Sequence, residues 1–334
     1  MSGIQIATVD GRGEKSLAAT AAVVALQQKL SPKGDTISDH ARDLTIKVFG
    51  APLSPTEVVS HICQRVQSEG ISAVCELTQK LDRVEINPAS FRVSTDELAA
   101  AHRQAPPAFL AAIRRVRDHI VDFQSAIRHQ TVESRPHPGV HLTHRYTPLR
   151  RVGVCVPGGA AAYPSSLLMA AVPAQVAGVK EVAVVAPPTA FGSYNPHLLA
   201  ACHEIGISEV YRVGGAQAVA ALAFGVEGLN PVDKIVGPGN LYVALAKKHV
   251  YGHVDIDSIA GPSEVLVIAD ETSNPEWVAL DLISQAEHYP GAAILVSWSE
   301  WLVSEVRRHL QAYCQTLDRG NLAAKCLNEY GALV

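Results

Sequence analysis

Between Ser54 and His129 apolar residues recur at three- and four-residue intervals, in TEVVSHICQRVQSEG, SAVCELTQKLD and DELAAAHRQAPPAFLAAIRRVRDHIVDF. That spacing lines one face of an α-helix and predicts a helical segment. The rhythm changes after Leu149. RRVGVCVPGG, EVAVVAPP, VYRVGG and VDKIVGPG are short apolar runs closed by glycine or proline, and each is followed by an alanine-rich helical stretch. Four consecutive strand and helix units predict an α/β fold with a doubly wound parallel sheet and right-handed crossovers. SEVLVIAD, PEWVALDLISQAEH and AAILVSWS continue the alternation, but its character breaks at IAGPSE, where a second sheet is expected to begin. After the helix WLVSEVRRHLQAYCQTL, EYGALV is expected to feed a further strand.

Residues 1–45 mix glycine, charge and one alanine-rich helix, the pattern of an arm that needs something else to pack on. A chain of 334 residues is about twice a typical domain, so two domains are expected. Hydrophobic residues make up 48% and charged residues 18%, with a formal net charge of -4, a balance that argues against nucleic acid. The basic run RPHPGVHLTHRYTPLRR (135–151) lacks interleaved aromatics and reads as a solvated crossing between domains. The six cysteines form no CxxC pair, which suggests neither a disulfide framework nor a thiolate zinc finger and fits a reducing cytoplasm. The longest apolar run, LLMAAVPAQVAGV, falls short of the ~20 residues a membrane span needs. AATAAVVAL (18–26) follows Asp10 and Glu14 and has no clear cleavage site behind it, so an ordinary helix is expected there and no targeting peptide.

In parallel sheets ligands bind at the carboxyl ends of strands, where loops lead into helix N-termini. Glycine-rich loops occupy those places here: PGGAAAYPSS (157–166), GGAQA (214–218), GPGNLY (237–242) and AGPSE (260–264). None contains GxGxxG or the GxxxxGK phosphate loop, and glycine at a strand end is often turn chemistry alone. The polar residues that follow the turns, Gln217, Asn240 and Ser263, are positioned to project toward a ligand. For Asn240 and Ser263, helix or turn capping is the competing reading.

One further pair stands out. Asn274 is placed to cap the helix that follows, with Pro275 in its first turn and Val278, Leu282 and Ile283 as its buried stripe. Asp281, Gln285 and His288 are left nearer the open side, and Gln285 and His288, three positions apart, present donor atoms on one face. By spacing alone a solvated helix end is the better account, since a histidine near a helix C-terminus suits the dipole and two residues cannot complete a zinc sphere of about four donors. No GxSxG motif or Cys and His signature points to a nucleophilic hydrolase.

Taken together, VPGGAAAYPSSLLMAAVPAQVAGV, GGAQAVAALAFG, VDKIVGPGN, IDSIAGPSEVLVIADE and LISQAEH closely resemble the histidinol dehydrogenase family, from about Leu53 to the end of the sequence. The resemblance implies a zinc-dependent enzyme that oxidises L-histidinol to L-histidine through an aldehyde and reduces two NAD molecules. It implies an intertwined homodimer with two Rossmann-like domains, an arm at 1–45, a first domain of 46–153 plus 264–334, and an inserted NAD-side domain at 154–263. Gln285 and His288 match two zinc ligands that also line the substrate site. Ser263 matches a substrate contact; Gln217 and Asn240 match NAD contacts. Cys155 stands where the family often has a tyrosine against NAD, an exchange expected to remove about 1 kcal/mol of aromatic contact.

The family's base, a Glu-His pair, and its remaining zinc ligands are expected past Val334, which leaves no catalytic base among residues 1–334. Two other readings accompany this one: a related dehydrogenase of another small polar alcohol such as a sulfonated diol, and a non-catalytic remnant that binds NAD. A cut sheet also predicts poor solubility of the chain alone.

Overall fold

A computed structural model describes residues 4–10, 17–30, 45–158, 161–259, 264–288 and 291–334. The chain divides into two compact units, one of residues 1–33 with 261–334 and one of residues 34–260.

The first elements in the chain are β1 (Ala7–Thr8) and α1 (Leu17–Leu30). The larger unit then opens with helices α2 (Pro55–Glu69), α3 (Ile71–Asp82), α4 (Pro88–Phe91), α5 (Thr95–Gln104) and α6 (Pro107–Ile127). The periodic stretch from Ser54 to His129 is thus helical, broken where local chemistry stops each helix. Ser54 caps α2 in a capping box with Glu57, and Asn87 caps α4 in another with Ser90. A two-stranded hairpin follows, β2 (Val132–Ser134) and β3 (Leu142–His144), both fully exposed. The basic run lies wholly inside the unit of residues 34–260 and so does not cross between the two units, although it is solvent-facing through Arg150 as expected. Its last residue departs from that reading, because Arg151 is only 1% exposed and is paired below the sheet.

Strand and helix then alternate: β4 (Arg151–Cys155), α7 (Pro164–Val176), β5 (Glu181–Ala186), α8 (Pro196–Glu204), β6 (Glu209–Arg212), α9 (Gly215–Phe224), β7 (Lys234–Val236), α10 (Leu241–Val250) and β8 (Asp255–Ile256). The five strands form one parallel sheet in the order β6-β5-β4-β7-β8. Side chains alternate across it with the period of two that a pleated strand imposes. Val152, Val154, Val182, Val184 and Ala186 enter one apolar cluster with α5 to α8, whereas Cys155, Ala183, Val185, Tyr211 and Ile235 enter another with α2, α3, α9 and α10. Both faces are covered, which is why the strands read as unbroken apolar runs. The boundary expected at 153/154 falls inside β4, and the helices from 55 to 127 pack on the sheet to which β4 belongs, so these residues share one unit with 154–260.

The other unit holds β9 (Glu264–Ile268), α11 (Pro275–Ala286), β10 (Ala292–Val296), α12 (Glu300–Thr316), α13 (Gly320–Tyr330) and β11 (Gly331–Leu333). Its parallel sheet runs β1-β11-β10-β9, so a second sheet does begin after IAGPSE and EYGALV supplies a strand, flanked by β1 from the chain's start. Leu282, Leu295, Leu302, Leu310 and Leu327 fill its core, whereas Leu266 and Ile268 on the edge strand β9 are 57% and 67% exposed.

Candidate functional site

The five-stranded sheet has one switch point. The chain lays β5 and β6 on one side of β4 and then returns to set β7 on the other, so the loops leaving β4 and β7 part in opposite directions. A crevice opens at such a point, and ligands of open parallel sheets bind there.

Backbone geometry holds the two loops together at their base. Gly237, directly after β7, has φ +105°, and a Cβ on it would lie 2.3 Å from the carbonyl oxygen of Cys155. No side chain fits at that position. The Gly237 peptide is gripped from both ends: its N–H donates to Asp257 Oδ2 at 2.8 Å, and its carbonyl accepts from Lys247 Nζ. Lys247 Nζ also donates to Asp257 Oδ1 at 2.6 Å. Lys247 is 2% exposed, and a buried ammonium needs this pairing. Along the adjoining sheet face runs an open groove of about 1180 Å³, lined by Tyr146, Met169, Val236, Gly237, Asp257 and Ser258 among others.

The residues singled out in the sequence take different places. Asn240 sits exposed at the N-terminus of α10, where its Oδ1 accepts from Val243 N at 3.1 Å, so the capping reading is realised. Cys155 ends β4 with its thiol in the core, and burial pushes that thiol up to about 12, which makes it a neutral packing group. Gln217, in the first turn of α9, is 1% exposed. Its Nε2 donates to Asp82 Oδ2 at 3.2 Å, while its Oε1 is buried without a hydrogen-bond partner. Ser263 lies outside the described residues.

In the other unit Asn274 caps α11 as expected, with Oδ1 accepting from Glu276 N and Trp277 N. Gln285 stands half-buried in the last turn, close under Gly291. His288 is not on the helix: α11 stops at Ala286, and His288 follows in the turn, with a side chain 54% exposed and Nε2 3.7 Å from Glu287 Oε1.

Three functional-looking groups escaped the sequence reading. Asp82 ends α3, an unfavourable place for a carboxylate next to the negative end of the helix dipole, and desolvation raises its pKa to about 6. Lys247 lies on the apolar stripe of Val243 and Val250, and Asp257 directly follows β8.

The histidinol dehydrogenase family model matches residues 53–334. The chain belongs to the histidinol dehydrogenase family. It is 58% identical over 329 residues to the histidinol dehydrogenase of Rhodopirellula baltica, an alignment covering 98% of this chain and 72% of that protein. With the Moorella thermoacetica histidinol dehydrogenase the figures are 48% over 277 residues, 83% and 65%. The crystal structure of histidinol dehydrogenase from Elizabethkingia anophelis superposes with a TM-score of 0.76 at 35% identity, covering 83% of this chain and 64% of that one. The chain therefore spans about two thirds of the length of such relatives.

The donors present decide how far a histidinol dehydrogenase's cofactors fit. Gln285 and His288 offer two neutral donors, and among the described residues no group of three or more His, Cys, Asp and Glu could hold a metal ion. By themselves they do not fit a zinc centre. The dinucleotide fits better: the crevice lies at the switch point and its base is a glycine that admits close backbone approach, and past the carboxyl end of β6, in the same sheet, the buried carboxamide oxygen of Gln217 lacks a donor.

Proposed function

We propose that this chain carries the NAD-binding part of a zinc-dependent, NAD-linked dehydrogenase that oxidises L-histidinol to L-histidine through the aldehyde, the last step of histidine biosynthesis. The observation that carries the reading is the Gly237 crevice at the switch point of a chain matching the family from 53 to 334. Bound NAD supplies the acceptor for the substrate's hydride. Residues of this chain have binding and orienting work. Gln217 and Asn240 would hold the dinucleotide, with Cys155 contributing backbone alone where a ring is common, since its thiol packs in the core. The braced Gly237 peptide keeps the crevice in one shape, so that little ordering is left to the moment of binding.

Ser263, Gln285 and His288 are inferred to meet the substrate, with Gln285 and His288 as two of the zinc ligands and the rest of the sphere from elsewhere in the assembled enzyme. The sheet of β9 to β11 would belong to a second Rossmann-like domain, and two copies of the chain would form the homodimer. No helix among the described residues is long and apolar enough to cross a membrane.

Titration calorimetry of the purified chain with NAD tests the reading. Saturable binding that Gln217→Ala weakens is the expected result; a folded chain that takes up no NAD would overturn it. NADH formation assayed with zinc, using L-histidinol against a sulfonated diol, then separates the two substrates. Binding without turnover would leave the chain an NAD-binding module.

A further inference from the structure

We infer that Asp82 is a positioning residue: it fixes the orientation of the Gln217 carboxamide, so that the oxygen and not the amide nitrogen faces the dinucleotide. The inference rests on the reading of Gln217 as an NAD contact.

A carboxamide has two ends that differ only in hydrogen-bond sense, and a neutral partner accepts either. A carboxylate is an acceptor only, so Asp82 Oδ2, 3.2 Å from Gln217 Nε2, selects the amine end. What remains is Oε1, buried and without a partner. Buried polar atoms are seldom left so, and an orphaned acceptor calls for a donor. The residue beside Oε1 has to be a glycine: Gly215 has φ +66°, and a Cβ there would lie 2.7 Å from Oε1. Any side chain at 215 would occupy the place of the donor. Among the groups of a dinucleotide, the nicotinamide amide N–H, the adenine amine and the ribose hydroxyls all donate.

The far end of the pair shows a built arrangement too. Asp82 is followed by Arg83 at φ +58°, the one non-glycine residue with positive φ among those described. Left-handed backbone on an arginine carries strain, and strain of this kind gathers at functional positions. The turn it makes ends α3 with the carboxylate in place against α9, although Asp82 and Gln217 lie 135 positions apart in the sequence. Desolvation, which raises the Asp82 pKa, is a standing cost that a purely structural contact would not need to carry.

The experiment is a double-mutant cycle read as the dissociation constant for NAD, by calorimetry on the intact chain, with Asp82→Ala, Gln217→Ala and the pair. Loss of one oriented hydrogen bond weakens binding about tenfold. Asp82→Ala and Gln217→Ala are each expected to do so, and the double variant no more than either alone, because Asp82 acts only through Gln217. Asp82→Asn, which accepts through Oδ1 yet also offers a donor, should restore part of the affinity. Circular dichroism melting checks that each variant is folded, and Asp82→Asn preserves the test if Asp82→Ala is not. Unchanged affinity in Asp82→Ala with a loss in Gln217→Ala would overturn the inference and leave the NAD reading standing; so would additive losses in the double variant. A wild-type chain that is folded and takes up no NAD, or a Gln217→Ala chain with unaltered affinity, would overturn both.

Discussion

Replacing Asp82 with asparagine should stabilise the unit of residues 34–260, by an amount that depends on pH. The carboxyl is raised from an ordinary 3.8 to about 6, with desolvation as the cause. Between those two values the folded chain binds more protons than the unfolded one, so stability falls as pH rises through the interval and the full cost is present above it. At about 1.4 kcal/mol per tenfold change in proton affinity the gap corresponds to about 3 kcal/mol. Asp82 is only partly buried, and solvent screening brings the expected gain at pH 8 to about 1–2 kcal/mol. At pH 5 about half of it should remain. Asparagine keeps the shape and an acceptor for Gln217 Nε2. The assay needs care over its probe: Trp277, Trp298 and Trp301 are the only tryptophans and all lie in the other unit, so indole fluorescence would follow the wrong transition. Urea unfolding followed by far-ultraviolet circular dichroism at the two pH values is the measurement. An asparagine variant that is equally stabilised at both, or less stable than wild type at pH 8, would refute the reasoning. Higher stability together with poorer NAD binding is the trade-off expected where a functional group is held at a cost.

Other outcomes follow from the same sheet. Arg151, whose guanidinium pairs with Glu181 at 2.9 Å and Glu209 at 2.6 Å, should cost about 3 kcal/mol when changed to methionine, because the half-buried Glu209 loses its cation and keeps only the Tyr211 hydroxyl; urea unfolding by circular dichroism reads this. Gly237→Ala should lower stability by about 1–3 kcal/mol and weaken NAD binding, since the new Cβ meets the Cys155 carbonyl; calorimetry and a melt report both. Lys247→Met should destabilise more than Lys247→Met combined with Asp257→Asn, because the single change strands a carboxylate; the two melting temperatures decide. The Arg114 guanidinium, with His102, holds Glu204 down to about 2, so its contribution is present above the ordinary carboxylate range and is lost as pH falls toward 2; Glu204→Gln should therefore cost more at pH 6 than at pH 3.

Much of the fold is legible in the chain because its signals are local. The unbroken apolar runs of β4 and β5, the capping boxes at Ser54 and Asn87 and the asparagine caps at Asn195 and Asn274 all lie within a few residues of the elements they define. Packing partners are a different matter. The helices from 55 to 127 carry amphipathic stripes, but nothing in a stripe names the sheet it will cover, and the expected boundary at 153/154 fell inside a strand. The pair Gln285 and His288 shows the same limit on a smaller scale. A three-residue interval places two side chains on one helix face only while the helix lasts, and α11 ends between Gln285 and His288.

Two of the three residues that sequence reasoning missed share one property: each breaks a local preference for the sake of a partner outside its own element. Asp82 sits at the wrong end of a helix, and Lys247 is a charge within an apolar stripe. Such violations are the local trace of a non-local demand, and they are readable as such once buried charge is treated as information. The two edges of the five-stranded sheet carry opposite signs of this effect. At the amino ends of the strands, Arg151 holds the Glu209 carboxyl below its ordinary range, so charge there adds stability. At the carboxyl ends, apart from the Lys247–Asp257 pair, burial drives Asp82 upward and leaves Gln217 Oε1 without a donor, so the polarity of Asp82 and Gln217 is kept against stability. A sheet that only needed to fold would have no reason to treat its two edges differently. The edge that bears the cost is the one where a parallel sheet binds its ligand.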